Sequence, residues 1–291
     1  MNVMGVRKLS VGILLCAITA VGASAAFAAS DPAIGGPRVI TRQEWGAREP
    51  QCNSRVAGRV QHAIVHHTSG RSDFTDKGDT MARLREIQDD HMDARGFCDV
   101  GYNFFIDAAG NIFEGAAGSL ERAVVGAHAR GFNTGSVGVA LLGDFTTNVP
   151  SEEMLQAAGE IIGWRLSHYG VDPAADITRY PASQNLVWPY GEPATFPAIA
   201  GHNTFGITDC PGAQVVTRLP QIRQAAADVA DDLRATGQFG AGVVDAGFRV
   251  TPLMFVGVLV VGVVTFFGVF AVRVAIRVRR EQRSEPHSWQ S

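Results

Sequence analysis

The chain is poor in charge and has no surplus of positive charge. Asp, Glu, Lys and Arg make up 18% of its 291 residues, and no Gly-X-Y period runs through its 33 glycines, so coiled-coil, collagen-like and disordered classes are all excluded. No internal repeat is visible. Basic residues number 25 against 28 acidic ones, and the deficit concentrates in the middle: residues 29–251 carry 18 basic and 26 acidic groups, net −8. That acidic balance argues against a nucleic acid as partner. What the chain does have is apolar residues, 46% of the total. Once its two ends are set aside, roughly 200 residues remain, enough for one compact domain.

Both ends read as addresses rather than as fold. Met1 to Ser10 is short and basic, Val11 to Val21 is almost continuously apolar, and Ala26-Phe27-Ala28 places small residues where a signal peptidase would cut. Residues 1–28 therefore read as a secretory signal, the alternative being an uncleaved anchor, and Cys16 is discarded with it. Leu253 to Val272 is a charge-free run of 20 residues, about 30 Å as a helix, the thickness of a bilayer core. Arg273, Arg277, Arg279 and Arg280 follow at once and by the positive-inside rule stay cytoplasmic. The expected plan is a linker at 29–37, a domain at 38–235, a glycine-bearing flexible tether at 236–251, a transmembrane helix at 252–273 and a cytoplasmic tail at 274–291. The domain then sits outside the cytoplasm, held by one span at the outer face of the cell membrane.

Within the domain, Val60 to His66, Gly101 to Asp107 and Ser136 to Leu142 are short β-branched or aromatic runs bounded by turn residues, as strands are. Helical spacing marks Thr80 to Asp93 with Asp79 as cap, Ser151 to about Tyr169 with Ser151 as cap, and Leu219 to Leu233. Strands interleaved with helices predict an α/β (mixed α+β) domain.

Three cysteines remain after the signal is removed. Cys52 and Cys98 lie in polar, loop-like contexts of an oxidising compartment and are expected to form a disulfide, the alternative being two free thiols. Cys210 stands apart, in a loop rich in turn residues with His202 eight positions earlier. Ile64-Val65-His66-His67-Thr68 ends the first expected strand, where successive side chains point to opposite faces, so one histidine of the pair can face a given site. That histidine with His202 and Cys210 makes a three-ligand set of borderline-soft donors suited to Zn²⁺, with a fourth position open and a net charge of +1. Such a centre acidifies water and polarises a carbonyl, the two things amide hydrolysis needs. A four-ligand structural site using Cys52 or Cys98 finds no CxxC spacing in its support.

Five ordered motifs carry a resemblance: Ile64-Val65-His66-His67-Thr68; Asp99-Val100-Gly101-Tyr102-Asn103-Phe104; Val125-Gly126-Ala127-His128 with Gly131-Phe132-Asn133; Ser136-Val137-Gly138-Val139; and Gly201-His202 through Cys210-Pro211-Gly212. Together, over about Arg38 to Ala235, the chain resembles the peptidoglycan recognition protein and type 2 N-acetylmuramoyl-L-alanine amidase family. The resemblance implies a central mixed β-sheet flanked by helices. It implies that His66 is the ligand of the pair, joined by His202 and Cys210, and that His67 lines the groove or supports the fold. Tyr102 matches the family tyrosine whose hydroxyl faces the developing oxyanion, and Thr208 a position expected to hydrogen-bond near the substrate carbonyl. His128 and Asn133 match substrate-binding positions. A wider branch of the superfamily carries Glu where this chain has Ala140, which leaves the general base unassigned; Glu114 is the acidic candidate, and surface solvation explains it equally well. His62, His91 and His168 fit no ligand slot and are expected to be structural. Trp188 and Tyr190, in the Pro-rich insert before His202, fit either glycan stacking or loop packing.

The reading this supports is a membrane-tethered zinc amidase that cuts the bond between the lactyl group of N-acetylmuramic acid and the L-alanine of the stem peptide. Its partners are then peptidoglycan and the membrane. The rivals are a muropeptide-binding module that does not cut, against which Cys210 and Tyr102 stand, and a zinc peptidase acting within the stem peptide, for which no motif is present.

Overall fold

The computed structural model describes residues 36–240. The expected signal peptide, transmembrane helix and cytoplasmic tail, with most of the linker and tether, lie outside the described residues. Among the described residues no helix is long and apolar enough to cross a membrane.

In chain order the elements are β1 (Val39–Ile40), α1 (Arg42–Trp45), β2 (His62–His67), α2 (Lys77–Asp89), β3 (Phe104–Ile106), β4 (Ile112–Glu114), β5 (Ser136–Leu141), α3 (Glu152–His168), β6 (Asp176–Arg179), β7 (Ala194–Pro197), β8 (Ile199–Gly201), α4 (Ala213–Val216) and α5 (Leu219–Ala235). Six strands form one sheet in the order β1-β4-β3-β5-β2-β8. Its neighbours run parallel except the antiparallel β3–β4 pair, so the expected mixed sheet flanked by helices is what the chain folds into. A separate antiparallel pair, β6–β7, lies in the segment before β8.

The inner strand β2 is buried along its whole length, as expected of a strand with covered faces on both sides. Ala63 and Val65 join Phe104, Ile106, Val139 and Leu141 against Met154, Ala158, Ile161, Ile162, Ile222 and Ala226 of α3 and α5. The opposite face carries Phe105, Phe113, Ala140 and Leu142 under Leu84 and Ile87 of α2, with Trp45 and Phe74. Helix α3 begins as expected, the Ser151 hydroxyl accepting from the Met154 N–H. Its glycines allow α5 to approach: a Cβ on Gly159 would collide with the Ala225 side chain, and one on Gly163 would stand 2.6 Å from the Ala226 carbonyl oxygen.

Three differences from the expected boundaries have a clear physical reason. Helix α2 starts three residues early, because Asp76 rather than Asp79 is the cap and its carboxylate accepts from the Asp79 N–H; beyond Asp89 it widens into a π turn, Asp90–Ala94. The strand expected from Gly101 begins only at Phe104, since the preceding residues form a buried turn described below. The fold also continues past Ala235 into the stretch expected to be tether. Phe239 packs on the core under the Arg234 guanidinium, and the Gly240 N–H donates to the Ser167 carbonyl. This exit point neighbours Tyr169, whose carbonyl accepts from Arg59 just before β2; it therefore lies at the N-terminal end of β2. Cys52 and Cys98 are joined in a disulfide across 46 residues.

Candidate metal centre

Sheet register brings two of the site's imidazoles together. Strands β2 and β8 are parallel with Val65 opposite Gly201, so the next step along each chain sets His66 beside His202. Their ring centroids are 4.5 Å apart. Cys210 arrives from the loop after β8, where its Sγ lies 3.6 Å from His66 Nδ1 and accepts from the His67 backbone N–H at 3.3 Å. One ligand atom from each of His66, His202 and Cys210 lies within 4.8 Å of the other two. Nitrogen and sulfur ligands at zinc's usual bond lengths, held tetrahedrally, stand about 3.6 Å apart, which is the separation of His66 Nδ1 and Cys210 Sγ.

The electrostatics suit the same purpose. Burial holds His66 well below its ordinary pKa, with His128, His202 and His67 adding to the effect, and burial lowers His202 as well. Both imidazoles are thus neutral, the form that ligates a metal. Burial pushes the Cys210 thiol up to about 12, opposed by the hydrogen bond from His67. A cation among these atoms would offset the desolvation of a thiolate. The donor set therefore fits Zn²⁺.

The site chain belongs to a larger family. A family description, N-acetylmuramoyl-L-alanine amidase, matches residues 56–213, 158 of the 291 residues. The chain is an N-acetylmuramoyl-L-alanine amidase family member. It is 29% identical over 182 residues to peptidoglycan-recognition protein LB of Drosophila melanogaster, 62% of this chain and 67% of that protein. Against peptidoglycan-recognition protein SC2 of the same fly it is 30% identical over 183 residues, 63% of this chain and 85% of that one. Among solved structures, wild-type Drosophila PGRP-LB superposes with a TM-score of 0.50 at 31% identity, covering 62% of this chain and 92% of the other. A tyrosine-to-phenylalanine variant of PGRP-LB in complex with tracheal cytotoxin superposes with a TM-score of 0.50 at 30% identity, covering 64% and 94%.

The remaining residues of this amidase-family site fall into three groups. Tyr102 stands over the cluster, its ring centroid 5.0 Å from that of His66 and 6.2 Å from that of His128 in a stacked arrangement. Burial, then the charge of Cys210, pushes its phenol up to about 12, so Tyr102 keeps its proton and can donate it in a hydrogen bond. Thr208 is exposed and its Oγ1 accepts from the Cys210 N–H at 3.1 Å, which leaves its own O–H free to donate outward.

The residues expected to bind substrate also make contacts within the fold. His67 Nδ1 accepts from the Phe145 N–H and lies 3.9 Å from Asp144; its ring is buried and supports the loop after β5, the second of its two expected roles. Asn133 Oδ1 accepts from the N–H groups of His128 and Ala129, closing the loop that carries them. His128 Nδ1 lies 3.0 Å from His66 Nε2, inside the cluster. Glu114 sits on β4, three strands away from β2, about 14 Å at ordinary strand spacing. Its Oε1 accepts from Gly118 and Leu120, so it holds a turn.

Several supporting residues are polar side chains in loops, whose contacts no periodic signal in the sequence gives. Asp99 accepts from Gln88, Val100 and Ala117 and pairs with Arg42. Asn103 donates to Ser119 and Val124 and accepts from Gly138. His91 Nδ1 accepts from the Gly101 N–H, the structural role expected of it. These three pin the turn that presents Tyr102. Asn185 donates to Arg130 and Phe205, and Trp188 donates to the Thr204 carbonyl, fastening the Pro-rich insert to the His202 loop. Trp188 is thereby committed to packing, whereas Tyr190 remains exposed.

Proposed function

We propose that the domain is a zinc-dependent N-acetylmuramoyl-L-alanine amidase that hydrolyses the lactyl–L-Ala amide of peptidoglycan at the outer face of the membrane. The observation that carries this reading is the convergence of His66, His202 and Cys210 beneath Tyr102. When bound, the ion supplies Lewis acidity, acidifying water and polarising an amide carbonyl. His66, His202 and Cys210 hold it. The Tyr102 O–H, kept protonated by burial, donates to the oxygen that gains charge as the amide carbon becomes tetrahedral, and the exposed Thr208 hydroxyl donates beside it. The partner is peptidoglycan, in keeping with relatives named for its recognition. The location at the outer face of the cell membrane rests on the apolar runs at the two ends of the chain.

The test is incubation of the chain with defined muropeptides, read by mass spectrometry with and without chelator. Release of free stem peptide, lost on chelation and in Cys210→Ser, is the expected result. Tight muropeptide binding with no release by the zinc-loaded wild type would make this a binding module instead.

A further inference from the structure

Next to the three donors lies a chain of polar groups whose direction is dictated from its far end. The Asn133 carbonyl can only accept, and it takes the Ser136 hydroxyl proton at 2.9 Å. With that proton committed, Ser136 Oγ is left as an acceptor for His128 Nε2, 3.4 Å away. A neutral His128 with its proton on Nε2 presents a bare Nδ1, which stands 3.0 Å from His66 Nε2 and accepts from it. His66 then carries its single proton on Nε2, and its Nδ1 lone pair is free, 3.6 Å from Cys210 Sγ. Each step leaves one allowed proton position, so a backbone carbonyl in the Asn133 loop selects the tautomer of His66.

The backbone is shaped to receive the middle ring. A Cβ on Gly138 would stand 2.5 Å from His128 Nε2 and 2.6 Å from its Cδ2, and one on Gly126 would stand 2.6 Å from the same Cδ2. Those glycines cut a slot that only an unsubstituted backbone leaves open. Asn133 closes the arrangement, its side chain holding the backbone of His128 while its carbonyl ends the chain.

We propose that His128 and Ser136 are positioning residues that lock His66 with a bare Nδ1 lone pair facing the metal site, seated by the slot between Gly126 and Gly138. The proposal rests on the reading of His66 as a zinc ligand and gives His128 a role through that ligand, beside the substrate-binding position expected of it. Ligating histidines are commonly oriented through their second nitrogen, and loss of the orienting partner weakens metal binding about tenfold to a hundredfold.

The experiment uses the full chain labelled with 15N-histidine and stripped of metal. Long-range 1H–15N correlation spectra, assigned with His128→Phe, are expected to show His66 and His128 both protonated on Nε2. Zinc affinity measured by competition with a chromophoric chelator is expected to fall about tenfold or more in Ser136→Ala and in Gly138→Ala, with the His66 tautomer becoming mixed in both. A His66 protonated on Nδ1 in the metal-free wild type overturns the proposal, and so does a Ser136→Ala affinity within about twofold of wild type. A wild type that binds no zinc defeats the amidase reading, while the metal-free spectrum still decides the tautomer lock separately.

Discussion

His62 gives the protein a specific weakness to acid. It opens β2 fully buried, with its ring against Phe196 and Phe205. Burial first, then the positive charge of Arg179, lowers its pKa from 6.5 to about 3. The folded state therefore refuses a proton that the unfolded chain accepts. Above pH 6.5 both states are neutral and the residue contributes nothing; as pH falls through that value, only the unfolded state gains a proton, and stability falls. Linkage from these two pKa values makes the loss about 2 kcal/mol at pH 5 and about 3 kcal/mol at pH 4. In His62→Phe the ring remains and the proton site is gone. Urea unfolding of metal-free protein at pH 7, 6 and 5, followed by tryptophan fluorescence, separates this from packing effects. Any strain from the larger ring shifts all three curves alike. The other buried histidines titrate in both proteins, so the difference in pH slope reports His62. A variant that loses as much stability between pH 7 and 5 as wild type would refute the argument.

Two further outcomes follow from the geometry. Removing the Cys52–Cys98 disulfide by a double Ser substitution frees a 46-residue loop and should cost about 4 kcal/mol by the loop-entropy relation, seen as a lower urea midpoint; no change would mean that the unfolded chain is restrained in other ways. Tyr102→Phe should keep one zinc per chain while turnover falls about a hundredfold, the usual scale for losing one oxyanion donor; unchanged turnover would remove Tyr102 from the chemistry.

The parts of this site legible in the sequence were those with a rule behind them. Alternation along a strand limits the His66-His67 pair to one histidine per face, and the structure puts His66 with His202 and Cys210 while His67 braces the loop at Phe145. Ser151 was readable as a cap because it precedes two acids and an apolar helical pattern. Asp76 was not, since Lys77-Gly78 is a poor helix opening and Asp79 looked the better start; the carboxylate that reaches the Asp79 N–H decides it. Strand β8 was missed because Ile199-Ala200-Gly201 is three residues of mostly small side chains with no alternation to read, yet its register is what sets His202 beside His66. The contact of His128 with His66 was not legible, because it depends on the close approach of two glycine backbones, a three-dimensional relation that no linear spacing encodes.

The chain's departure point at Gly240 has a directional consequence. It leaves beside Ser167 and Tyr169, at the pole of the sheet where β2 begins, and the His66 cluster occupies the pole where β2 ends. The segment that follows Gly240 therefore starts on the side of the domain away from His66, His202 and Cys210, and additions to the chain beyond that residue begin a full strand length from the metal donors.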